Sequence, residues 1–153
     1  MLPPNQTGVC DDGSMPEEEL LRIELTDRER VLLRAGLLEW TGPARPSEPL
    51  AIAMGFDGLE GLRADVKRLR MALEDDDELS RADWQRVLIA TEIVFVSDVV
   101  GSGLDWRLTT GVPDAEAIEL LRGLQRKLPR WRVTFQFTMS DEQVVIENSD
   151  RSS

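Results

Sequence analysis

The chain has 153 residues, the length of one ordinary domain, so two independent cores are not expected. It carries 18 basic and 29 acidic side chains, and the net charge of −11 repels nucleic-acid phosphates and anionic lipid at long range. It has no histidine and one cysteine, Cys10, which excludes imidazole-based catalysis, an internal disulfide and a four-cysteine zinc site. We therefore expect neither a metal nor a cofactor.

The first 19 residues have the composition of a solvated tail. They contain three prolines and five acidic residues but no basic residue, so we expect residues 1–19 to be a disordered acidic tail. The same stretch lacks the basic and apolar parts of a secretory signal. The longest apolar run, residues 87–100, is interrupted by Glu92 and Asp98 and is shorter than the ~20 residues that span a bilayer. The sequence therefore predicts a cytoplasmic protein that does not enter a membrane.

A helical domain is predicted over residues 20–128. Thr26 and Glu29 have the spacing of a capping box and predict a helix over about 26–40. Ser47 is a favourable N-cap for a short helix over 48–54, which Gly55 ends.

Three longer helices follow in the prediction. Apolar residues at steps of three and four predict a helix over 57–74. Ser80 begins the most hydrophobic one, over 81–100, which we expect at the centre of the fold; a buried strand over 92–99 is the alternative. Pro113 begins the last, over 113–128. The predicted fold is mainly α, a compact bundle of four to five helices.

The pattern changes to that of strands after Pro129. Val133, Phe135 and Phe137 alternate with polar residues, and a second apolar group follows at 144–146. This alternation predicts a C-terminal β-hairpin over 129–147, followed by a tail over 148–153. Because a lone hairpin is marginally stable in water, it must pack on the helices, join a partner's sheet or be poorly ordered.

Two surfaces are candidates for binding another protein or a second copy of the chain. The first is the apolar seam of the third helix, formed by Leu59, Leu62, Val66, Leu69 and Leu73. The second is a basic stripe with an adjacent tryptophan, formed by Arg122, Arg126, Arg130 and Trp131. Since no nucleophile–base pair, metal set or phosphate loop is present, the leading hypothesis is a non-catalytic interaction or regulatory module acting through helix faces.

A DNA-binding alternative depends on residues 48–70. Ala51, followed after three residues by Gly55 and Phe56, resembles the first helix and turn of an AraC-type helix-turn-helix. Leu62 and Val66 match its second helix, and the resemblance implies a transcriptional regulator that binds nucleic acid. Residues 25–30 are also similar to the opening of a LuxR-type DNA-binding domain, although the helix pair expected after it is absent.

A third hypothesis is an enzyme that uses carboxylates. Glu92, Asp98 and Asp105 are the candidates, and the first two interrupt an apolar helix. Buried carboxylates need a basic or hydrogen-bonding partner, so Glu92 and Asp98 are expected as buried charges with a structural or functional role. Their six-residue spacing separates them by about 120° around an ideal helix, so they do not share one face.

Overall fold

The computed structural model describes residues 18–128 with their side chains, and the backbone of residues 135–140 and 143–148. Residues 18–128 form six α-helices, one 3-10 turn and a two-stranded antiparallel sheet. In chain order the elements are β1 (Leu20–Leu21), α1 (Asp27–Glu39), α2 (Glu48–Ala53), α3 (Gly58–Asp75), β2 (Leu79–Ser80), α4 (Arg81–Val96), the 3-10 turn (Gly103–Asp105), α5 (Trp106–Thr110) and α6 (Asp114–Lys127). The prediction of a mainly helical fold is confirmed.

Side-chain caps fix three of the helix starts. The Thr26 hydroxyl accepts a hydrogen bond from the Glu29 amide at 3.2 Å, and the Glu29 carboxylate accepts one from the Thr26 amide at 2.8 Å. Ser47 and Ser80 cap α2 and α4 in the same way, each accepting from the amide three residues later. These bonds satisfy amides that have no partner within the helix, and the predicted starts are confirmed. Gly55, at φ 92°, follows the end of α2.

The fourth helix is shorter than predicted. It ends at Val96, because Ser97 is extended and the chain then folds back over the helix end. The Gly101 amide donates to the Ser97 carbonyl at 3.1 Å, and the Ser102 amide donates to the Val94 carbonyl at 2.8 Å. Residues 92–96 are helical, so the alternative strand over 92–99 is wrong as well.

Helix α5 was not predicted from the sequence. Its five residues are too few to show a hydrophobic period, and two of them, Thr109 and Thr110, are poor helix formers. Trp106, whose side chain is fully buried, anchors the start of α5. Its ring packs edge-to-face on Phe95, with the centroids 5.4 Å apart.

The centre of the fold is α1 rather than α4. Helix α1 contacts α3, α4, α5 and α6, and its Leu32, Leu33 and Leu37 are fully buried. The apolar run over residues 81–100, which predicts a central position, does not stay buried to its end. Val96 and Val99, at and just beyond the end of α4, are exposed.

Tryptophan side chains also tie distant parts of the chain to α4. The Trp40 indole donates to the Ala90 carbonyl at 3.0 Å, and the Trp84 indole donates to the Leu21 carbonyl at 2.9 Å. The second bond holds the segment before α1 against the helices. There β1 pairs with β2 in an antiparallel register that places Leu21 opposite Leu79.

Beyond α6, the backbone forms two strands, β3 (Phe135–Ser140) and β4 (Gln143–Asn148), in antiparallel register. The predicted hairpin over 129–147 also includes 129–134 and 141–142, which lie outside the described residues, so the hairpin stays a prediction. Residues 1–17 and 149–153 of the two predicted tails lie outside them too.

Candidate functional site

The apolar seam of α3 belongs to the core of this chain. Leu62, Val66 and Leu69 are at most 2% exposed, and Leu59 is half-buried. They are covered by the chain's own helices, since α3 packs on α1 and α2. The seam therefore cannot serve as the predicted intermolecular interface. Apolar residues at helical spacing look the same in a sequence whether they meet a neighbouring helix or another protein.

Part of the predicted basic stripe is on the surface. Arg122 and Arg126 are both exposed on α6, and the Arg122 guanidinium donates to the Gln125 side chain at 2.7 Å. Arg130 and Trp131 lie outside the described residues. The stripe is thus represented by two exposed arginines on one helix face.

The three predicted carboxylates have separate surroundings. Glu92 is half-buried and accepts a hydrogen bond from Gln125 at 2.5 Å. Asp98 is exposed, so its prediction as a buried charge is wrong; it accepts from the Leu104 amide at 3.1 Å and holds the turn after α4. Asp105 is exposed immediately before α5. None of these contacts joins one of the three carboxylates to another.

Acidic residues other than these three predicted carboxylates are buried. Glu29, Glu39 and Asp83 are 5%, 4% and 7% exposed. Glu39 accepts hydrogen bonds from the hydroxyls of Ser102 and Thr109, which ties the end of α1 to the turn before α5 and to α5 itself. No signal in the sequence marks this contact, because its partners follow Glu39 by more than 60 residues.

The Glu29 carboxylate on α1 connects the first helix to the end of α6. Lys127 donates to its carboxylate at 2.6 Å, and the Thr26 amide donates to it in the capping box. Burial raises the pKa of Glu29, but these hydrogen bonds outweigh burial, and the pKa lies below its ordinary 4.5. The capping-box spacing predicts the bond to Thr26 but not the ion pair with Lys127.

Of these three buried acids, Asp83 accepts the most hydrogen bonds from basic side chains. Arg68 donates two hydrogen bonds to its carboxylate, at 2.7 and 2.9 Å, and Arg86 donates a third at 2.8 Å. Burial raises its pKa, and the arginines lower it more strongly, so the pKa lies below its ordinary 3.8. This cluster joins α3 to α4, and the further bond from Arg86 to the Gly55 carbonyl adds the turn after α2.

Large apolar side chains are exposed where α4 stops and on the elements that follow it. Val96, Val99, Leu104 and Leu108 are between 74% and 85% exposed, and Ile118 on α6 is 50% exposed. We call these five residues the end surface. Leu104 and Leu108 are four residues apart on successive helical turns, a spacing that brings side chains together on one face.

A groove of about 470 Å³ opens beside the end surface, between α4 and α6. Its lining consists of Glu92, Phe95, Val96, Ile118, Leu121, Arg122 and Gln125. Apolar side chains form most of this lining, and a chain of hydrogen bonds runs from Arg122 through Gln125 to Glu92. The structure therefore brings the predicted residues Glu92 and Arg122 to one groove, with Gln125 between them. The role of Gln125 was not apparent from the sequence.

The described part of the chain shows no group of three or more histidine, cysteine, aspartate or glutamate residues that could hold a metal ion. Nor does any helix in that part have the length and apolar character needed to cross a membrane. No protein-family profile, curated protein or solved structure matches this chain.

Proposed function

We propose that the protein is a non-catalytic, cytoplasmic interaction module that binds a partner protein through the end surface and the adjoining groove. The observation that carries this proposal is the exposure of Val96, Val99, Leu104 and Leu108 beside an apolar groove. Exposed apolar surface is unfavourable in water, at roughly 25 cal/mol per Å², and in soluble proteins a concentration of it marks interaction sites.

The shape and chemistry of the groove favour one kind of partner. It lies between two helices, and its walls include Phe95, Ile118 and Leu121. The apolar face of an amphipathic helix fits such a site, as in other helix-in-groove complexes. Arg122 is exposed at the rim, which favours an acidic side chain beside that apolar face.

Charged substitutions on the end surface test this proposal. In the double variant Leu104→Asp and Leu108→Asp, we expect at least about tenfold lower recovery of bound protein, since a desolvated charge costs more than about 1.4 kcal/mol. We expect the free energy of unfolding to change by less than about 0.5 kcal/mol, because both side chains are exposed. Quantitative affinity capture from native lysate and urea unfolding give the two values.

The matched control is Ile52→Asp with Met71→Asp, which places the same charges at exposed apolar positions on α2 and α3. This control should recover bound protein as the unaltered chain does. Equal recovery by the two double variants, both folded by circular dichroism, would count against the end surface as the binding site.

A second candidate function is DNA binding through α2 and α3. A four-residue turn, Met54 to Asp57, connects these helices, and α1 packs on α3. Arg63 and Lys67 are exposed on α3. This arrangement supports the helix-turn-helix alternative, although the Glu48 carboxylate accepts from the Leu59 amide and adds negative charge at the start of α3.

Binding of labelled random-sequence duplex at low salt tests this candidate. If α3 contacts DNA, Arg63→Ala with Lys67→Ala lowers affinity at least about tenfold and reduces its salt dependence, since fewer phosphates are neutralised. Arg122→Ala with Arg126→Ala, which removes the same charge from α6, leaves the affinity and its salt dependence unchanged. Fluorescence anisotropy measures both quantities. The DNA-binding candidate fails if no salt-sensitive binding appears at micromolar protein.

A further inference from the structure

The described lining of the groove between α4 and α6 includes a single carboxylate, that of Glu92. Its side chain is half-buried, and the Gln125 amide donates to its Oε1 atom at 2.5 Å. Among residues 18–128, Oε2 accepts no hydrogen bond, and the carboxylate forms no ion pair. Glu92 thus differs from Glu29 and Asp83, which pair with basic side chains.

The chain of hydrogen bonds in the groove has a fixed direction. The Arg122 guanidinium has only donors, so the Gln125 side-chain oxygen faces it and accepts at 2.7 Å. The Gln125 side-chain nitrogen then faces Glu92, whose carboxylate has only acceptors. Both ends of the Gln125 amide are therefore engaged, and Oε2 of Glu92 is left as an acceptor for a polar group of a bound partner.

A partner that covers the groove removes water from Glu92. The walls beside the carboxylate include the apolar side chains of Phe95, Val96 and Ile118, which cannot replace that water. A desolvated carboxylate is costly without an opposite charge, and a neutral donor leaves its charge uncompensated. A lysine or arginine supplies the charge and the hydrogen bond together, and such charge-assisted bonds are roughly twice as strong as neutral ones. The net charge of −11 also attracts basic segments at long range.

We propose that the bound partner helix carries a lysine or arginine that pairs with Glu92, so that Glu92 determines specificity in the groove. This inference rests on the function proposed above. The basic residue is additional to the acidic one that Arg122 favours at the rim. Glu92 and Val96 are four residues apart and so share one face of α4. A helix that lies along this wall matches them with a basic and an apolar residue three or four positions apart.

Selection from a library of helical peptides tests the inference. Phage display amphipathic peptides of about 16 residues, with leucines fixed on one face and all residue types allowed between them on that face. The full chain is the bait. Peptides that also bind the double variant Val96→Asp with Ile118→Asp are removed, because this variant places charges in the apolar walls. Among the remaining peptides, we expect at least about tenfold enrichment of lysine and arginine over glutamine, three or four positions from a leucine.

A double-mutant cycle then assigns this preference to Glu92. Replacing the basic residue of a selected peptide by glutamine should weaken binding at least about tenfold for the original chain but less than about twofold for Glu92→Gln. This variant should stay folded, as circular dichroism can verify, because its amide still offers Gln125 an acceptor oxygen. Glu119→Gln is the matched control, since it removes the same charge from an exposed position of α6 outside the described lining. It should keep the tenfold preference in fluorescence anisotropy.

The results separate this inference from the function on which it rests. Peptides that need the groove but show no basic preference overturn the pairing and leave the groove as the binding site. A preference that Glu92→Gln and Glu119→Gln reduce equally has the same meaning, because it then reflects overall charge. If no peptide distinguishes the original chain from Val96→Asp with Ile118→Asp, binding of a helix in the groove is itself contradicted, and the pairing fails with it.

Discussion

Replacing Gly36 by alanine should lower the free energy of unfolding by about 2 kcal/mol, although alanine is the better helix former. A Cβ atom at Gly36 would lie 2.7 Å from both Cγ2 and Oγ1 of Thr91 and 2.9 Å from its Cβ. Gly36 and Thr91 are both fully or nearly fully buried, on α1 and α4, and these helices form an extensive contact. The helices must therefore move apart, which disturbs packing along the whole pair.

A double-mutant cycle separates this clash from other effects. Thr91→Ala removes two of the three close atoms, so Gly36→Ala should cost at least about 1 kcal/mol less in that background. Gly42→Ala is the control, because no atom lies within 4 Å of its added Cβ. Urea unfolding measures all five proteins. The same loss for Gly36→Ala in both backgrounds would show that contact with Thr91 is not the cause.

Local signals in the sequence predicted the starts of helices. Thr26, Ser47 and Ser80 each cap a helix through an amide three residues later, so the whole interaction lies within one short stretch. Helix ends were predicted less well. The end of α4 depends on Gly101 and Ser102 folding back onto the last turn, and residues 97–100 carry no strong breaker that announces it.

Partners across the fold were not predictable from the sequence. Leu62 and Val66 were correctly placed on one face of α3, but the pattern could not show that α1 and α2 cover that face. In the same way, Val96 and Val99 continue an apolar run that predicts a buried central helix, whereas both side chains are exposed. The candidate site was thus only partly foreseen: Arg122 was expected at a surface, and Glu92 was identified as a charge that needs a partner.

Replacing Asp83 by asparagine should lower the free energy of unfolding at neutral pH by about 2 kcal/mol. Removing one member of a buried ion pair costs about 3–5 kcal/mol. We expect the smaller loss of about 2 kcal/mol here because the Arg68 side chain is 48% exposed and partly hydrated. Asparagine keeps the size of the side chain but supplies one acceptor oxygen where the carboxylate supplies two. It therefore cannot accept all three hydrogen bonds from Arg68 and Arg86.

The loss of unfolding free energy caused by Asp83→Asn should become smaller as the pH falls. Because the arginines hold the folded-state pKa of Asp83 below 3.8, the ionised carboxylate stabilises the fold above the unfolded-state pKa. That contribution is lost as the pH falls through the folded-state pKa, where the protonated acid resembles asparagine. The difference in unfolding free energy between the original chain and Asp83→Asn should therefore narrow between about pH 6 and about pH 3.

Urea unfolding at several pH values measures this difference. Asp77→Asn is the matched control, because Asp77 is exposed in the loop after α3, and its replacement should change the free energy by less than about 0.5 kcal/mol at pH 6. If the difference in unfolding free energy between the original chain and Asp83→Asn stays constant down to about pH 3, the paired charge is not its source. If the difference narrows as expected, the cluster of Asp83, Arg68 and Arg86 is an electrostatic connection that holds α3 against α4.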